Sequence, residues 1–212
     1  MERCVFNRVL LFLLYIGLSL NDAFAGTSEE LPFECQIDCV SPYSKILGTS
    51  KRGVEAYSNC NPSCVIYEPN YWEGTYTGIK WQCVEYARRW LLFNRGVVYG
   101  DVDIAADIWN NIDHLTEVAT NKIIPLESYL NGSRKPPQVG DLLVYAKAFH
   151  NTGHVAVVIE VDIKGGVINV GEQNYNNDPW PGGFSRKIEL IKKGDNYWLL
   201  DAYLLGWKHS NN

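Results

Sequence analysis

Residues 154–161, His154-Val155-Ala156-Val157-Val158-Ile159-Glu160-Val161, form an almost continuous apolar, β-branched run. Such a run fits a buried strand, and the segments around it supply neighbours for one. Residues 141–146 form a short apolar strand. Lys164-Gly165-Gly166 is a turn, residues 167–171 the next strand, and residues 174–183 a polar loop rich in Pro and Gly. Residues 188–191, 197–200 and 204–207 each read as a further strand. Before Pro136-Pro137 the period is different. Residues 83–94 place Ala87, Trp90 and Leu91 on one helical face with Cys83, and Gly96 follows Arg95 as a stop. Residues 103–115 read as a second helix, with Ile104, Ile108 and Ile112 four apart. Residues 53–57 alternate like a short strand, and residues 58–80 read as a long surface loop. Helices first and an antiparallel sheet second give an α+β domain.

The first residues belong outside that domain. Arg3 and Arg8 precede an apolar run from Val9 to Leu20, and Ala23-Phe24-Ala25 offers small residues for a peptidase. This is the pattern of a secretory signal over residues 1–25; the run is too short for an anchor, which needs ~20 apolar residues. Removing 25 of 212 residues leaves 187, enough for one sizeable core. The expected organisation is a cysteine-bearing segment at 26–42 followed by one domain at 43–208. The formal net charge of −5 and the lack of a basic stripe exclude a nucleic-acid partner. Signal cleavage would leave no stable membrane anchor. The expected localisation is secreted or in an endolysosomal lumen.

Six cysteines less Cys4 leave an odd five. Cys35, Cys39, Cys60 and Cys64 form two C-x-x-x-C pairs. In an oxidising compartment they become two disulfides, with three connectivities open; a zinc site is the competing use. Cys83 is left over. It starts a helix, whose unpaired N–H groups and partial positive charge favour a thiolate and can hold an oxyanion. The alternative is a buried structural cysteine.

A cysteine nucleophile needs a base. The chain has His114, His150, His154 and His209. His209 sits at the frayed end, His114 ends a helix, and His150 lies in a polar loop. His154, at the rim of the apolar strand, is the better base. Glu172 and Asn174 follow the next strand on one side, and either could accept the imidazole N–H. Asn131-Gly132-Ser133 is a glycosylation sequon, or an Asn-Gly turn without sugar.

The stretch Lys80-Trp81-Gln82-Cys83-Val84-Glu85-Tyr86-Ala87-Arg88-Arg89-Trp90 resembles the catalytic helix of the CHAP amidohydrolases. More narrowly, it is similar to the amidase domain of glutathionylspermidine synthetase/amidase and of trypanothione synthetase. Gly140-Asp141-Leu142-Leu143, Thr152-Gly153-His154-Val155-Ala156-Val157-Val158 and Glu172-Gln173-Asn174 follow in that family's order. Gly96-Val97-Val98-Tyr99, Ile124-Pro125-Leu126 and Leu205-Gly206-Trp207 do so too. The likeness runs from about Tyr43 to Trp207.

The resemblance implies a papain-like (NlpC/P60-type) α+β fold, in which helices bearing the Cys pack on a sheet bearing the His and Glu. It implies a Cys83-His154-Glu172 triad with Asn174 beside it, and Gln82 as an oxyanion donor. Arg88 would organise the acidic side of the site, or be a surface charge. The synthetase half of those bifunctional enzymes is expected to be absent, leaving a hydrolase without cofactor, ATP site or metal. The expected substrate is a small peptide-amide such as glutathionylspermidine, or a peptidoglycan peptide. A non-catalytic binding module is the reading from another class.

Overall fold

The structure is a computed structural model that describes residues 31–211. The secretory segment read at residues 1–25 lies outside the described residues. A 3-10 turn, Phe33–Cys35, leads to the antiparallel pair β1 (Ile46–Thr49) and β2 (Glu55–Tyr57). A second hairpin follows, β3 (Pro69–Trp72) and β4 (Thr75–Ile79), and then helix α1 (Cys83–Arg95). After β5 (Val97–Val98), a 3-10 turn at Ala105–Asp107 runs into the single turn α2 (Ile108–Asn111). Strands β6 (His114–Glu117) and β7 (Ile123–Pro125) complete a three-stranded sheet with β5. The remaining strands are β8 (Glu127–Leu130), β9 (Leu142–Tyr145), β10 (His154–Asp162), β11 (Val167–Gly171), β12 (Arg186–Lys193), β13 (Asn196–Leu199) and β14 (Leu204–His209). They form one antiparallel sheet in the order β13-β12-β11-β10-β9-β14-β8.

The continuous apolar character of β10 has a two-sided cause. Val155, Val157 and Ile159 pack with Tyr86, Trp90 and Leu91 of α1. Ala156 and Val158 point the other way, into a second core with Leu143, Ile168, Val170 and Trp207. Fully burying one such side chain stabilises by about 1.5–3 kcal/mol, so both layers hold β10 in register. The sheet is also stitched edge to edge. Gly132 N–H donates to Tyr197 O, and Tyr197 N–H donates to Ser133 O, each at 2.8 Å. Asn131 adds two bonds to the backbone of Leu199, at 2.9 and 2.8 Å. The second core is therefore enclosed by the curled sheet, while α1 covers its outer face.

Helix α1 holds no Gly or Pro and ends where Gly96 adopts φ 65° and donates its N–H to Leu92 O. Only glycine takes that left-handed cap without cost. Six strands of this sheet fall where the sequence reading sets them, β8 has no counterpart in that reading, and the fold class is α+β.

Three expectations fail. Residues 103–115 are not one helix: Ile112 is already extended, and His114 opens β6, paired with β5 and β7. The β-branched Thr116 and Val118 and the pair Asn110-Asn111 are poor helix formers, and strand pairing wins. Residues 58–80 are not merely a loop. Glu73 and Gly74 both take positive φ, the two-residue turn that joins β3 to β4. His209 is not frayed; it is buried in β14 and bonds Asp141 Oδ1 at 2.7 Å.

Candidate active site

Cys83 is the first residue of α1, after Gln82 in extended conformation. No side chain caps this terminus, so its N–H groups stay open to an anion. The thiol is buried, and burial alone would push it up. The charge of His154 and its hydrogen bond, with the backbone N–H groups of Val155 and Val84, outweigh that and hold the thiol below its usual range.

His154 is brought to the thiol by the first residue of β10. Gly153 before it takes φ 72°, and a Cβ there would lie 2.7 Å from Tyr145 O. The ring is buried against Tyr145, Phe149 and Tyr175. Its Nε2–H donates to Glu172 Oε2 at 2.8 Å, which leaves Nδ1 for Cys83. Burial disfavours the imidazolium, but the Cys83 thiolate and then Glu172 more than offset this, raising His154 to about 9. The opposed shifts of Cys83 and His154 favour the thiolate–imidazolium form of the pair.

Glu172 follows β11 and is fully buried. Burial would raise its carboxyl. The Arg186 guanidinium, followed by His154, holds it down at about 2. Arg186 Nε donates to Glu172 Oε1 at 2.6 Å, and Ser185 Oγ donates to the same oxygen at 3.1 Å.

Asn174 does not meet His154. Its Nδ2 donates to Gln82 Oε1 at 2.8 Å, which turns the Gln82 amide so that Nε2 is its donor end, on a side chain that lines the cleft with Cys83. Gln82 Nε2 reaches Cys64 O only at 3.4 Å. Behind this pair, Gln173 ties α1 to the Glu172 segment. Its Nε2 donates to Glu85 Oε2 and Gln82 O, at 2.8 and 3.1 Å, while Arg89 forks onto the buried Glu85. Arg88 is not a surface charge; its Nη2 holds Asp101, an acidic residue that lines the cleft beside Cys83. It is buried, donating to Thr77 O, Tyr99 O and Gly100 O, and it pairs with Asp101.

The thiol opens on a cleft of about 440 Å³. Pro62, Val65 and Tyr67 line one part, Asp101 and Asp103 another, and His150 sits at its edge. The first wall belongs to the crosslinked segment: Cys35 pairs with Cys64, and Cys39 with Cys60. These bonds occupy all four sulfurs and displace the zinc alternative, and Cys83 is the free thiol of the described residues. Asn131 spends its Nδ2, the atom a glycan would take, on Leu199 O.

Sequence reasoning passed over Arg186, Gln173 and the Glu85–Arg89 pair. A signal for Arg186 was present: it shares parity with Ile188 and Leu190, whose side chains face inward. An arginine on the inward face of a strand requires an anion. Glu85 and Arg89 are four apart on a helix buried almost all round.

A thiolate at a helix N-terminus, an imidazole at a strand end and a carboxylate behind it, on an α+β frame, define a cysteine-dependent amidohydrolase. Residues 74–174 match the CHAP domain model, a span that contains Cys83, His154, Glu172 and Asn174, and the chain carries a CHAP domain over those residues. It is 36% identical over 182 residues to the bifunctional glutathionylspermidine synthetase/amidase of Escherichia coli (strain K12), covering 79% of this chain and 29% of that protein. It is 31% identical over 176 residues to the trypanothione synthetase of Crithidia fasciculata, covering 82% of this chain and 26% of that protein. The chain spans less than a third of the length of these relatives.

Proposed function

We propose that this protein hydrolyses the amide bond of a small peptide-amide with a cationic amine, of the glutathionylspermidine type. The observation that carries this is the Cys83–His154–Glu172 chain opening on a cleft that also bears Asp101 and Asp103. The Cys83 thiolate attacks the carbonyl carbon. The oxyanion takes hydrogen bonds from the N-terminal N–H groups of α1 and from Gln82 Nε2. The His154 imidazolium gives its proton to the amine nitrogen as the C–N bond breaks, and a Cys83 thioester is left. His154, now neutral, removes a proton from water. The hydroxide oxygen bonds to the acyl carbon, the carboxylic acid leaves, and the thiolate returns. Asp101 is paired with Arg88, so Asp103 is the carboxylate on this wall that would attract a protonated polyamine.

A second reading has its own support. Two disulfides fit an oxidising, extracytoplasmic compartment, and among the described residues no helix is long and apolar enough to cross a membrane. Secretion or delivery to an endolysosomal lumen would present peptidoglycan peptides to the same thiol. Incubating wild type and Cys83→Ala with glutathionylspermidine and with purified peptidoglycan, followed by mass spectrometry of the products, separates the two. Glutathione plus spermidine from wild type alone is the expected result. Release of muropeptides alone would move the substrate to the cell wall. Turnover of neither would leave a binding module.

A further inference from the structure

Arg186 is better connected to the catalytic charges than any side chain outside the triad. It reaches Glu172 with Nε at 2.6 Å and Nη2 at 3.4 Å. Nη1 donates to Asp201 Oδ2 at 2.6 Å and Nη2 to Tyr145 OH at 2.7 Å, while Tyr145 OH itself donates to Asp201 Oδ2 at 2.6 Å. The guanidinium lies 4.0 Å from the Tyr175 ring centroid, and Tyr175 packs on His154. The side chain is about one-fifth exposed, against none for Glu172. Each nitrogen of the guanidinium has an acceptor, so Arg186 is fixed in place, and Glu172 is fixed by it.

We propose that Arg186 is a positioning residue that keeps Glu172 ionised and aimed at His154, and through His154 keeps Cys83 a thiolate. It does not line the cleft on which the thiol opens. Its effect runs through three bonds: Arg186 to Glu172, Glu172 to His154, His154 to Cys83. This rests on the cysteine-hydrolase reading of the triad, but not on which substrate is cut.

The groups facing Glu172 from the elements around it make Arg186 decisive. His154 comes from β10, Tyr145 from β9, Tyr86 from α1, Tyr175 from the following loop, and Asp201 from the segment after β13. Arg186 is the permanent cation of that set. Without it, Glu172 is a buried carboxylate beside Asp201, with only Ser185 and His154 as donors, and it takes up a proton more readily. A protonated Glu172 no longer stabilises the imidazolium. His154 then yields its proton more easily, and the Cys83 thiolate loses its counter-charge.

The test reads the thiol directly, so it needs no substrate. The rate of Cys83 alkylation by iodoacetamide is followed against pH in wild type, Arg186→Gln and Arg186→Lys. In Arg186→Gln the acid limb of the profile should move up by about one pH unit, with alkylation near pH 6 about tenfold slower. Arg186→Lys should restore most of the limb, because it returns the charge. If Arg186→Gln does not fold, the pair Arg186→Gln/Asp201→Asn removes both charges and leaves neutral hydrogen-bonding groups; the same upward move is expected. An unmoved acid limb in a folded variant overturns the proposal, since a merely structural arginine alters yield and stability without altering the profile. A moved limb together with no turnover on either substrate class would leave the arginine's role standing and sink the hydrolase reading alone.

Discussion

Cys83 and His154 act as one unit, so removing either should remove most of the rate. Cys83→Ala is expected to abolish amide turnover, at least a thousandfold, while stability changes by about 1 kcal/mol or less, because little volume is lost. His154→Ala should be as damaging and His150→Ala should not, since His150 lies exposed at the cleft edge without a bond to the thiol. Steady-state rates and thermal melts of the three variants check this. Glu172→Gln separates charge from orientation. Gln still accepts the imidazole N–H but adds no charge to hold the imidazolium, so His154 should fall below about 9, while the Cys83 thiolate, the larger cause, still holds it up. The sign follows from the leaving-group proton: the rate is lost as pH rises through the His154 value. The alkaline limb of kcat/KM should therefore move down by about one pH unit in Glu172→Gln, with a loss of about 10-fold or more at the optimum. An unchanged limb would show that Glu172 does not set the imidazolium. At this scale the triad was legible because each member sits at an element end. The partners behind it were not legible, since Arg186 and Gln173 meet Glu172 and Gln82 only across the folded sheet.

Elements bring those residues together, and the turn before β10 is the tightest constraint. Gly153 is left-handed, and a Cβ there would lie 2.7 Å from Tyr145 O and 2.8 Å from the Ala106 Cβ. Gly153→Ala should cost more than about 1 kcal/mol, and it should depress kcat by shifting His154. Gly194 supplies the control: its φ is 63°, yet nothing lies within 4 Å of a Cβ. Gly194→Ala should cost about 1 kcal/mol or less and leave kcat intact. Urea unfolding and kinetics of both variants decide between local strain and a displaced base. Equal activities would mean that the turn does not aim His154. Strands with a buried face could be read, by alternation where burial is one-sided and as a continuous apolar run where, as in β10, it is two-sided. The β6 strand could not, because its pairing with β5 and β7 overrides an isoleucine spacing that also suits a helix.

Two closures hold the whole molecule. The sheet meets itself through Asn131, Gly132 and Ser133, and the N-terminal segment is crosslinked to residues 60–64. Neither closure could be read from the chain: four cysteines allow three pairings, and Asn131 looks like a turn residue. The crosslinks also bear on the site. Residues 62–67 form a wall of the cleft, and Cys64 O lies 3.4 Å from Gln82 Nε2. The Cys35–Cys64 loop closes over a sequence separation of 29 residues, and the Cys39–Cys60 loop of 21 lies inside it. By chain entropy either is worth about 3–4 kcal/mol, and because they are nested the second adds less than the first. Cys35→Ser/Cys64→Ser and Cys39→Ser/Cys60→Ser should therefore each lower unfolding free energy by less than that full amount. The two variants should differ in kinetics. Losing the Cys35–Cys64 bond frees the wall next to Gln82, so KM should rise severalfold with a smaller fall in kcat. Losing the Cys39–Cys60 bond, with Cys64 still anchored, should leave KM near wild type. Denaturant titration and Michaelis kinetics of both pairs are the measurements. Equal KM values in the two would mean that the crosslinks stabilise the fold without shaping the cleft.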